Sequence, residues 1–219
     1  MSDELLIDAR GARETWRLHR PARKNALSLA LIDELDSARE AAATRGATVV
    51  VLTGHPADGT FSAGFDLGDL ARLHASGAST TEAASPLHAL FSRLEAAPFS
   101  LVTAINGPAI GGGCELALLG DVRVMHPRAT LMLPPARLGI TYPREGVTRL
   151  AAALGPSLLG AMFATALPVP AERLHAAGVV LSLDDDPVTE AERLADHMTA
   201  LPAASRAANR DLLRSVARA

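Results

Sequence analysis

Residues 104–118 read Ala104-Ile105-Asn106-Gly107-Pro108-Ala109-Ile110-Gly111-Gly112-Gly113-Cys114-Glu115-Leu116-Ala117-Leu118, and this stretch decides the fold. The apolar run Phe99 to Ile105 has the length of a buried strand. Asn106-Gly107-Pro108 interrupts it with turn residues. Gly111, Gly112 and Gly113 follow, and a helical run from Cys114 to Leu119 comes after them. Glycines ahead of a helix strip side chains from the backbone and leave amides exposed where the helix dipole is positive. Such a place binds a phosphate or stabilises an oxygen that gains negative charge during a reaction. It is also simply what a tight strand-to-helix connection in an α/β protein looks like. Glu115, in the first helical turn, either caps the helix or moves a proton beside a developing charge.

Working outward, the same alternation recurs. Leu5–Ala9 and Glu14–His19 read as a hairpin with Gly11 in its turn. Ser28 caps a helix over Leu29–Ala43 with Leu31, Leu35, Ala38 and Ala42 as its apolar stripe. Thr48–Thr53 is apolar enough for a strand covered on both faces. Asp66 caps a short helix over Leu67–His74, and another helix runs over Thr81–Ala96. Beyond the central stretch, strands are predicted at Asp121–Met125, Thr130–Leu133 and Val179–Leu183. Helices are predicted at Gly146–Leu154, Ser157–Thr165, Ala171–Ala177, Val188–Ala200 and Ala203–Arg218. Without linker, repeat or low-complexity segment, residues 1–219 read as one domain, with a core over about 1–183 and a C-terminal helical region over about 184–219.

The chain has 219 residues and a net charge of −3, so no basic excess points to nucleic acid. Aromatic residues make up 3%, too few for a base-stacking platform. One cysteine precludes an internal disulfide and fits a reducing compartment. The acidic start Met1-Ser2-Asp3-Glu4 lacks a signal-peptide pattern, and no apolar run reaches membrane-spanning length; a cytoplasmic protein without membrane partners is expected. Seven scattered histidines give no metal-ligand spacing, so no metal site is expected.

Phe61-Ser62-Ala63-Gly64-Phe65-Asp66-Leu67 stands upstream of Asn106 to Leu116, and Arg20-Pro21 with Asn25-Ala26-Leu27-Ser28 stands upstream of both. In that order the three motifs resemble the crotonase superfamily, the enoyl-CoA hydratases and isomerases, over about residues 5–210. The resemblance implies an α/β crotonase-like spiral of ββα units followed by a C-terminal helical region, shorter here than is usual for the family. It implies homotrimers or hexamers, and a coenzyme A thioester as substrate with no tightly bound cofactor. It places the two amides that hold the thioester oxygen at Phe65 and Gly112, and an acid/base at Glu115. It assigns Ala22, Arg23, Ala63, Asp66 and Leu67 to contacts with coenzyme A.

The family's second glutamate falls on Pro135, counting back from Leu138-Gly139, and proline cannot move a proton. That weakens hydration and isomerisation as the expected reaction. Tyr142 stands where malonyl-type acyl-CoA decarboxylases of the family carry a tyrosine. Glu145 is three residues further on, either turned to the pocket or paired at the surface with Arg144 or Arg149. An acyl-CoA-binding scaffold without turnover is the remaining reading. Arg206, Arg210, Arg214 and Arg218 share one helical face, read as solvated in preference to a site for coenzyme A phosphates.

Overall fold

The structure is a computed structural model that describes residues 4–139 and 141–217. Met1–Asp3, Ile140, Arg218 and Ala219 lie outside the described residues, and with them the last arginine of the expected helical face.

β1 (Leu5–Arg10) and β2 (Arg13–Leu18) form the hairpin, turning at Gly11 with φ +61°. Ser28 accepts from the Leu31 amide at 3.0 Å and caps α1 (Leu29–Arg45), whose buried stripe includes Leu31, Leu35, Ala38 and Ala42. β3 (Val49–Gly54) leads through the Ser62 region to α2 (Leu67–Ala75) and α3 (Thr80–Glu95). β4 (Ser100–Ile105), β5 (Ala109–Ile110) and α4 (Gly112–Leu118) make up the central stretch. β6 (Val122–Met125), β7 (Thr130–Met132), α5 (Arg144–Leu154) and α6 (Pro156–Thr165) come next. β8 (Val169–Pro170), α7 (Ala171–Ala176), β9 (Ser182–Leu183), α8 (Pro187–Thr199) and α9 (Ala203–Ala217) end the chain.

The strands form two sheets. The larger has the order β1-β2-β3-β4-β6-β9, parallel except for the hairpin, and the smaller has the order β5-β7-β8. The chain steps repeatedly between them: β4 to β5 and back through α4 to β6, then β6 to β7, then β8 through α7 to β9. This stepping is the expected spiral.

Period-two alternation sends Val49, Val51, Val102, Ala104 and Val124 to one face of the large sheet, under Ala191 and Ala195 of α8. Val50, Leu52, Leu101, Ile105 and Met125 face the main core with α1 and α3. Both faces are therefore dry, as a parallel sheet requires.

Three details differ from the sequence reading. Ala109–Ile110, between the turn and the glycine run, forms a short strand, because it pairs with Leu131–Met132 and Ala109 bridges to Ser62. The expected strand over 179–183 is reduced to two residues, Ser182–Leu183, paired with Val124–Met125. The arginine face of α9 is not solvated: Arg206 donates to Ser100 Oγ, Arg210 to the Phe99 carbonyl, and Arg214 to the Glu95 carbonyl and to Asp121. These arginines fasten the last helix to the start of β4, while Leu212, Leu213 and Val216 point outward.

Candidate functional site

The two glycine motifs are sewn together by backbone hydrogen bonds. Phe61 N–H donates to the Pro108 carbonyl at 3.0 Å, and Ile110 N–H donates to the Ser62 carbonyl at 3.0 Å. Asn106 locks the turn by donating to the Gly54 carbonyl at 2.9 Å and accepting from its amide at 3.2 Å.

Glycine is required where these strands meet. A Cβ at Gly64, whose φ is +90°, would lie 2.5 Å from the Ile110 carbonyl oxygen, and one at Gly113 would lie 2.4 Å from that of Ser62. The crossing brings the two candidate amides close: a Cβ on Gly112 would sit 3.6 Å from Phe65 N, and one on Gly64 3.2 Å from Gly112 N. The neighbouring amides of Gly64, Asp66 and Gly111 are all taken, by Ser62 Oγ, the Leu27 carbonyl and the Met132 carbonyl. Those of Phe65 and Gly112 donate to no described residue. Two free donors thus border one cleft.

That cleft, of about 130 Å³, has mainly apolar walls from Phe65, Leu67, Leu70, Leu87, Ile110 and Pro134. Glu115 closes its inner end and is fully buried. Its Oε1 accepts from Arg149 Nη1, and His88 Nδ1 lies 3.5 Å from the same oxygen. Glu115 Oε2 is buried and accepts from no described residue. Arg149 is itself buried, with Nε donating to Glu95 Oε2 at 3.0 Å, Nη2 to Ser92 Oγ at 3.2 Å, and its guanidinium over the Phe91 ring. One carboxylate oxygen is therefore held by Arg149, and the other is buried without a described partner in the wall of the cleft.

Of the residues expected at the site, Phe65, Gly112, Glu115, Ala63, Leu67 and Tyr142 all line this cleft, and Pro135 stands in its wall. The Tyr142 ring packs on Phe163 at 5.3 Å and near His88 at 6.3 Å. Burial, with smaller contributions from the charges of Glu115 and Cys114, pushes its phenol well above the ordinary range, so it stays a neutral donor. The buried Cys114 thiol is pushed up in the same way, by burial first and Glu115 second.

Glu145 is not brought to the cleft. It is exposed on α5 and lines a second opening of about 520 Å³ with Arg144, Thr148, Arg149 and Arg214. Asp66 is occupied structurally, capping α2 through the amides of Gly68 and Asp69 and pairing with Arg20 at 2.9 Å. Burial opposes its charge, but Arg20 and the two amides prevail and hold the carboxyl below the usual range. Ala22 and Arg23 lie on a short 3₁₀ turn beside a shallow opening with Glu4 and His19.

Sequence reasoning missed His88 and named Arg149 only as an alternative surface partner of Glu145. The signal for Arg149 was present: Gly146, Arg149 and Leu150 share one face of α5, so a cation on that face needs a buried partner.

The sequence model of the enoyl-CoA hydratase/isomerase family matches residues 15–219. The chain belongs to that family, within the crotonase superfamily. It is 38% identical over 178 residues to 2,3-dehydroadipyl-CoA hydratase of Escherichia coli, covering 81% of this chain and 68% of that one. It is 37% identical over 160 residues to the Mycobacterium tuberculosis protein echA6, which carries an enoyl-CoA hydratase name; the match covers 72% of this chain and 61% of that one. The chain thus spans about two thirds of the length of these relatives. Among solved structures, Pseudomonas aeruginosa AtuE superposes with a TM-score of 0.86 at 28% identity, over 97% of this chain and 83% of that one. A methylmalonyl-CoA decarboxylase bound to 2S-carboxypropyl-CoA superposes at 0.91 over the whole chain and 84% of its own, at 20% identity, a likeness of fold.

Proposed function

We propose that this protein transforms the acyl group of a coenzyme A thioester through an enolate. The amides of Phe65 and Gly112 hold the thioester oxygen, and Glu115 moves the proton through Oε2. The observation that carries this reading is the state of Glu115: buried in the wall of an apolar cleft, tied at Oε1 and unpartnered at Oε2, beside two free amides. Fixed donors aimed at a developing oxyanion are worth roughly a hundredfold to a thousandfold each in rate. An ionisable group held within reach of the α- or β-carbon adds about a hundredfold to ten-thousandfold.

Hydration or double-bond isomerisation is the first reading, in line with the names of the relatives. Decarboxylation of a malonyl-type thioester is the second. It is favoured by the neutral Tyr142 phenol in the cleft, whose hydroxyl donates to no described residue and is free to meet a substrate carboxylate, and by Pro135 in the same wall. The family reading also carries the expected trimer or hexamer, for which Leu212, Leu213 and Val216 leave an apolar face on α9.

A turnover screen with crotonyl-CoA, a 3-enoyl-CoA and methylmalonyl-CoA tests these readings. Product from the first or second supports hydratase or isomerase chemistry, and loss of carbon dioxide from the third supports the decarboxylase. Tight binding of all three with no turnover would replace both by a scaffold role.

A further inference from the structure

We propose that His88 is the second proton carrier of this cleft, serving where Pro135 excludes the second carboxylate. The inference rests on the acyl-CoA reading above and gives it the partner that hydration needs. Adding water across a double bond moves two protons: one leaves the water as its oxygen bonds to the β-carbon, and one arrives at the α-carbon. Glu115 supplies one carrier. Among the described residues lining the cleft, the remaining ionisable side chains are Tyr142 and His88. The Tyr142 phenol is held neutral by burial, whereas an imidazole can accept a proton at one ring nitrogen and donate from the other.

The placement of His88 is specific. It projects from α3, and its Nδ1 is buried, makes no hydrogen bond to a described residue, and faces Glu115 Oε1 at 3.5 Å. Its ring is set edge-on to Phe91 at 6.2 Å and to Tyr142 at 6.3 Å. Gly146 leaves room for the three groups to meet: a Cβ there would lie 3.3 Å from Tyr142 Cδ1 and 3.4 Å from both Glu115 Oε1 and His88 Cε1. The groups facing the imidazole are Glu115 from α4, with Arg149 of α5 on the same carboxylate oxygen, and Tyr142 from the segment before α5. α2 presents Leu70 to the cleft, and where α1 meets α3 the ionised pair is Asp36 with Arg93.

The step balances as follows. Water oxygen bonds to the β-carbon while Glu115 Oε2 takes a water proton. The double-bond electron pair moves toward the α-carbon and the thioester oxygen, giving the enolate. The enolate then takes a proton at the α-carbon from the acid form of His88. Glu115 ends protonated and His88 neutral, and return of that proton from Glu115 to the imidazole restores the pair.

The test uses the full chain with crotonyl-CoA, following hydration across pH, and butyryl-CoA in deuterium oxide, following α-deuterium uptake by NMR. His88→Gln is expected to lower kcat about a hundredfold with KM within about threefold. It should also remove one limb of the pH profile and slow deuterium uptake. His88→Asn separates shape from chemistry, because it keeps a polar group of similar reach that cannot carry the proton; the same loss in both variants at an unchanged melting midpoint sustains the inference. Wild-type kcat and pH profile in either variant, with wild-type turnover intact, would overturn the inference alone. A wild-type protein that neither hydrates, isomerises nor decarboxylates a CoA thioester overturns the functional reading and this inference with it.

Discussion

Glu115 and Glu145 live in different surroundings. Glu115, toward the apolar cleft, is fully buried, with one oxygen held and the other free. Glu145, toward the outer opening, is exposed among Arg144, Thr148, Asp211 and Arg214. The sequence offered both as candidates for proton transfer. The difference teaches that a carboxylate gains a chemical task from the wall it stands in. A buried carboxylate needs a partner for its charge, while an exposed one is screened and committed to nothing.

The strongest way to break the comparison is Glu115→Gln. It keeps the shape and removes the basicity, and turnover of the active acyl-CoA is expected to fall roughly a hundredfold to ten-thousandfold with affinity nearly unchanged. Steady-state kinetics with a separate binding titration check this, and full activity would transfer the chemistry elsewhere in the cleft.

Next in size is a stability effect. Arg149→Met leaves Glu115 buried beside a thioether, and loss of one partner from a buried pair costs about 3–5 kcal/mol. Denaturant unfolding should show that loss, and Arg149→Met with Glu115→Gln should recover part of it, because the uncompensated charge is gone.

A smaller and sharper test concerns the cleft's dryness. Burial raises the Tyr142 phenol above its unfolded value of about 10. The sign follows: its contribution to stability is fully present below the unfolded value and is lost as pH rises through the higher folded one. Tyr142 is the only tyrosine, so an alkaline absorbance titration reads it alone. Phenolate should appear only as the protein unfolds, and ionisation at the ordinary value would mean the cleft is wet. The smallest effect is expected from Glu145→Gln, which should leave turnover within about twofold of wild type; a large loss would erase the distinction between the two glutamates.

The alternation of strands and helices, the caps at Ser28 and Asp66, and the two glycine segments were legible along the chain, because each rests on neighbours a few residues apart, where pattern and backbone geometry act directly. That the segments cross, residues 62–64 against 110–113, is a long-range contact. Glu115 and Tyr142 were singled out through the family resemblance, and both line the cleft. Position 135 was legible as the absence of a carboxylate, but nothing near it named a substitute.

The sequence by itself determined the strand–helix alternation and the apolar strands of the parallel sheet, because local chain stiffness and apolar period set those features, and its three ordered motifs carried the family by resemblance. Only the tertiary structure decided which charges are buried together. It placed Arg149 of α5 and His88 of α3 at the Glu115 carboxylate of α4, with Glu95 of α3 paired to the same guanidinium, and it drew Arg210 and Arg214 down onto the end of α3 and the segment leading into β4. Ion pairs between residues tens of positions apart leave no periodic trace, since their partners are chosen by how helices pack against a sheet and by the cost of leaving a charge dry and alone.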